Sequence, residues 1–113
     1  MRPAKLFSVD IVDAANAIAE FIDNFEAEEF YRDYKTQSAV LQKLIVIGEA
    51  AARLSNEFIG QHSDIEWPDT IAFRNILVRA YFSVQLEIVW ETATQDVPEL
   101  QRQVSQILGQ EFE

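Results

Sequence analysis

The chain has 113 residues, 49% of them hydrophobic, which is enough apolar material for one sizeable core without metal or disulfide staples. Cysteine is absent and histidine occurs once, at His62. Disulfides, thiolate nucleophiles and cysteine zinc sites are therefore excluded, as is a two-histidine metal site within one protomer, and a serine–histidine triad would have to use His62. A formal net charge of −10 favours solubility and opposes attraction of the whole surface to nucleic acid or anionic membrane.

Three glycines and three prolines leave little material for hairpins, while Ala, Leu, Ile, Glu and Gln dominate the longer segments. The expectation is one domain over residues 1–113, all-α, with four to five main helices in an up-and-down bundle. No apolar run approaches the ~18 residues of a membrane span, so a cytoplasmic protein is expected.

A first helix is predicted over residues 8–25, where Ile11, Ala15, Ile18, Ile22 and Phe25 recur along one stripe. Its acids, among them Asp13 and Glu20, read as a solvated face. The pattern breaks over residues 26–32, giving a short helical turn or connection. A long helix over 34–58 then puts Val40, Leu41, Leu44, Ile47, Ala51 and Leu54 on a surface broad enough for neighbours on more than one side. Within it Gly48 costs about 1 kcal/mol relative to Ala, which close approach of another helix would offset. Glu49 and Arg53 are spaced to pair along the surface.

Residues 60–66 form a polar connection, in which His62 reads as an exposed loop residue. Trp67-Pro68 closes it. Proline suits the first turn of a helix, and Asp69 complements the dipole there, so a third helix begins near Pro68. Ser83 is a candidate N-cap for a fourth, with Leu86, Val89 and Trp90 as its apolar edge. Asp96-Val97-Pro98-Glu99 resembles a capping box opening a last helix through Leu100, Val104, Ile107 and Leu108.

The chemistry concentrates in residues 73–82. Asp69 is the last acid before Glu87, and between them stand Arg74 and Arg79, a cationic window in an acidic chain. At about 100° per residue Arg74 and Tyr81 return to nearly the same helix face, while Arg79 points about 140° away from Arg74. One straight helix cannot converge all three. Convergence needs a helix that ends or bends near Ala80, long side chains, or a second copy of the helix across a two-fold axis.

The run Arg74-Asn75-Ile76-Leu77-Val78-Arg79-Ala80-Tyr81-Phe82, preceded by Ile47-Gly48-Glu49-Ala50-Ala51 and followed by Leu86-Glu87-Ile88-Val89-Trp90, resembles the HepT-like branch of the HEPN superfamily. That family carries an arginine, usually followed by asparagine, then four residues, a histidine, one residue and a tyrosine. The resemblance implies a symmetric homodimer whose motifs line one cleft. It also implies a metal-independent ribonuclease without a cofactor, acting on RNA such as tRNA or mRNA. Such proteins are toxins of toxin–antitoxin pairs, silenced by a nucleotidyltransferase of the MNT type that attaches AMP to the motif tyrosine. Arg74 would then be the motif arginine, Asn75 its polar companion and Tyr81 the AMPylation site.

The departure falls at Arg79, which stands where the family has histidine. Cleavage of RNA without metal needs a group that exchanges a proton as the 2′-hydroxyl attacks phosphorus, and histidine titrates near neutrality. Arginine stays charged to about pH 12 and offers only donors, which suits phosphate or transition-state charge but not general acid–base work. Three readings stand. The chain is a HepT-type toxin weakened or silenced at Arg79, or an active nuclease in which another group handles the proton, or a non-catalytic helical dimer that binds RNA or its partner nucleotidyltransferase. In the last, Arg74 serves an ion pair with a residue such as Glu49.

Overall fold

A computed structural model describes residues 3–80 and 83–111. Helix α1 (Ala4–Phe21) buries Phe7, Ile11, Ala14, Ala15 and Ile18 on one stripe. Full burial of Ile11 or Ile18 stabilises the fold by about 1.5–3 kcal/mol each. The helix starts and ends four residues before the predicted bounds. Asn24 turns the chain with φ of 65°, a left-handed conformation that asparagine tolerates better than most residues, and this removes Ile22 and Phe25 from the helix. Helix α2 (Ala27–Arg32) follows under a capping box in which Glu26 and Glu29 satisfy each other's backbone N–H groups.

Helix α3 (Tyr34–Ala52) is the centre of the bundle, packed on α1 along one side and on α5 along the other. Asp33 caps it by accepting a hydrogen bond from the Thr36 N–H at 3.0 Å. The predicted helix over 34–58 is two helices, because Ser55 offers a competing N-cap. Its hydroxyl accepts from the Phe58 N–H at 3.1 Å and starts α4 (Asn56–Gln61), while buried Leu54 pins the intervening turn.

His62 is not the exposed loop residue expected. Its ring packs on Phe58 with centroids 4.7 Å apart, and Nε2 lies 2.6 Å from Glu111 Oε2, leaving the side chain 16% exposed. Helix α5 (Trp67–Arg79) begins one residue before Pro68, anchored by Trp67, whose indole N–H donates to the His62 carbonyl.

Ser83 does not cap the next helix. Helix α6 (Leu86–Glu91) begins after an extended Gln85, with Val84 and Leu86 packed against the core on either side. No new start occurs at Asp96 either. α6 passes through a π-helical turn, Thr92–Asp96, straight into α7 (Val97–Glu111). Proline at position 98 lacks the N–H that would bond the Thr94 carbonyl, and its ring would crowd that carbonyl in a regular helix; the widened turn accommodates it. The described residues contain only helices and connections, so the chain is an all-α bundle. None of these helices is long and apolar enough to cross a membrane.

Candidate functional site

The site is assembled where α5 crosses α3. Gly48 makes the crossing possible, because a Cβ built there would overlap the Cβ and Cγ of Arg74. The glycine predicted from its helix-propensity cost is therefore explained by close approach, and the residue it approaches is the candidate arginine itself. Arg74 lies over α3, 22% exposed, and its Nη1 donates to Glu49 Oε1 at 2.9 Å. Glu49 faces Arg53 as well, at 4.0 Å, so one carboxylate stands between two guanidinium groups.

The Nε of Arg74 is buried and has no hydrogen-bond partner among the described residues. An unpaired buried donor of this kind costs about 1–3 kcal/mol. With Nη1 committed to Glu49 and Nε shut off from solvent, Nη2 is the remaining guanidinium nitrogen through which Arg74 could reach a ligand.

The structure does not bring Arg79 to Arg74. Arg79 is exposed in the last turn of α5 and makes no ion pair with a described residue, and the offset of about 140° turns it away from Arg74. Asn75 is exposed too, and with it Ile76 and Val78, 53% and 55% exposed. Thus α5 turns one edge, Arg74 and Leu77, toward α3 and leaves Asn75, Ile76, Val78 and Arg79 on the outside. Tyr81 lies outside the described residues. No group of His, Asp and Glu that could hold a metal ion occurs among the described residues.

A family profile described as Ribonuclease HepT-like matches residues 11–107. A Thermococcus cleftensis protein described as a probable ribonuclease HepT is 37% identical over 99 residues, covering 88% of this chain and 90% of the relative. A Caldanaerobacter subterraneus subsp. tengcongensis protein, named provisionally as an RNase, is 32% identical and covers 98% of this chain and 99% of itself. A Methanocaldococcus jannaschii protein with the same kind of provisional RNase name is 31% identical over 91% of this chain and 94% of its own length. No solved structure matches with comparable significance. The chain belongs to the HepT-like ribonuclease family of the HEPN superfamily.

Proposed function

We propose that the chain is a HepT-type toxin that acts on RNA as a homodimer, with α5 of one protomer facing α5 of its partner. The observation that carries this reading is the outer face of α5, where exposed Ile76 and Val78 flank exposed Arg79, which makes no ion pair with a described residue. Apolar residues grouped beside a free cation are suited to a contact that buries the former and concentrates the latter. Two copies of Arg79, with Asn75 beside each, would then border one cationic cleft in a chain of net charge −10.

In that cleft Arg79 holds the phosphate and stabilises charge building on its oxygens, while Arg74, turned toward α3, would reach the phosphate only through Nη2 over the edge of α5. Neither takes the 2′-hydroxyl proton. His62, the one histidine, is occupied with Phe58 and Glu111. The present sequence is accordingly a weak nuclease, its cationic groups intact and its proton-transfer group replaced. Its neutralising partner is a cytoplasmic MNT-type nucleotidyltransferase that AMPylates Tyr81, which would place a bulky anion beside the cationic window. A mass increase with such an enzyme and ATP that persists in Tyr81→Phe would reject that tyrosine.

A second reading rests on a specific observation as well. The Arg74–Glu49 pair is what a structural role for Arg74 requires, in a non-catalytic dimer that binds RNA or the partner enzyme. Purified protein incubated with total RNA or tRNA, without divalent metal, separates the two. Slow cleavage that disappears in Arg74→Ala supports the nuclease. Loss of thermal stability in Arg74→Ala, with no cleavage by either protein, supports the binding module.

A further inference from the structure

A groove of about 580 Å³ lies between α5 and the α6–α7 rod. Its floor is apolar: Leu44 and Ile47 of α3, Phe73 of α5, Ile88 of α6 and Leu100 of α7. Ile88 is 48% exposed, so part of that floor faces solvent. The two banks are acidic. Asp64, Glu66 and Asp69 stand along the entry to α5, and Asp96 and Glu99 along the entry to α7. Glu99 pairs with Arg102, while the other four carboxylates make no ion pair with a described residue.

We infer that this groove receives an amphipathic helix of a partner protein, carrying an apolar stripe with lysine or arginine on both sides. An apolar floor between two polar banks is the anatomy of a helix-in-groove contact. The sign of the banks selects the occupant. Four carboxylates without an ion pair to a described residue repel RNA, so the groove is separate from any RNA site and the inference stands whether or not the chain cuts RNA. A polyamine would satisfy the banks and leave the floor wet. A second copy of this chain brings net charge −10 against the same acids. Nor do its α5 and α7 offer a suitable helix. The exposed apolar face of α5 carries one base, Arg79, that makes no ion pair with a described residue, and the base on α7, Arg102, is held by Glu99.

The test is fluorescence anisotropy with a labelled synthetic peptide of about 18 residues, with leucines on one helical face and lysines on both flanks. Its control is a peptide of the same composition with the order permuted to break the stripe. The striped peptide should bind about ten-fold or more tightly than the permuted one. Neutralising the banks, in Glu66→Gln/Asp69→Asn/Asp96→Asn, should weaken it about ten-fold and flatten its salt dependence. Ile88→Asp, an exposed position that leaves the core intact, should abolish it. Asp13→Asn/Glu20→Gln, on the outer face of α1, should leave it unchanged. Equal binding of the two peptides, displacement of the striped peptide by an equal concentration of spermine, or equal weakening by the α1 variant would each overturn the inference. So would loss of a dimer in Ile88→Asp with peptide affinity unaltered, since the floor would then belong to a second copy.

Discussion

At the scale of single residues, Gly48, Glu49 and Arg74 form one unit. Gly48 lets the α5 backbone approach, Arg74 crosses it, and Glu49 takes the guanidinium. Gly48→Ala sets two effects against each other. Helix propensity favours alanine by about 1 kcal/mol, whereas overpacking against the Arg74 Cβ and Cγ costs about 1–3 kcal/mol. Because the overlap falls on the stem of Arg74 and not on its flexible end, the steric term wins and the variant should unfold at lower urea; a higher midpoint would contradict the close approach. Glu49→Gln keeps an oxygen for Arg74 and removes the charge. The expected outcome is a small loss of stability, below about 1 kcal/mol given the 42% exposure of Glu49, with tighter RNA binding as Arg74 becomes free to attract phosphate. Weaker binding in that variant would show that Glu49 orients Arg74 more than it restrains it.

The sequence carried part of this unit. A glycine in the middle of an apolar helix implies a neighbour, and the arginine and glutamate were visible as candidates. What no spacing could supply was the register of α5 on α3, which decides that Arg74, rather than Thr70 or Leu77, sits over Gly48.

At the scale of elements, most helices were legible from periodicity, and α3 and α5 start where expected, but α4 and several other ends were not legible. Asn24, Ser55 and Pro98 each act through a local preference that competes with an apolar stripe continuing past it. The cap of α3 is Asp33, whose carboxyl is held below its ordinary value first by the Thr36 backbone N–H and then by the Thr36 side chain. A depressed carboxylate stabilises the folded state at pH above its unfolded value, and that contribution is lost as pH falls through the folded one. Asp33→Asn keeps an N-cap acceptor without titrating. The melting temperature of wild type relative to this variant should therefore be constant above about pH 5 and fall as the solution is acidified below 3.8. A difference that grows on acidification would remove the charge from the cap. The His62–Glu111 contact joins the α4–α5 connection to the end of α7. His62→Ala should speed amide exchange in the last turn of α7 more than in α3.

At the scale of the molecule, the all-α class followed from composition, and family membership followed from a motif spread over one helix and its flanks. The offset of about 140° read from the sequence holds in the structure, where one α5 sends Arg74 inward and Arg79 outward. Uniting them would take more than a single copy of the helix. If the dimer forms through α5, Ile76→Asp/Val78→Asp should convert it to a monomer by light scattering while the helical circular dichroism persists. A wild-type monomer at micromolar concentration would remove the shared cleft.

The central claim is that the cationic groups of a ribonuclease are present and its proton-transfer group is not. It is tested most directly by comparing RNA cleavage, without divalent metal, by the present chain and by Arg79→His. Restoring an imidazole at that position should raise the rate by ~10²–10⁴, with a maximum near neutral pH. Equal rates for the two proteins, or no cleavage by either, would contradict it.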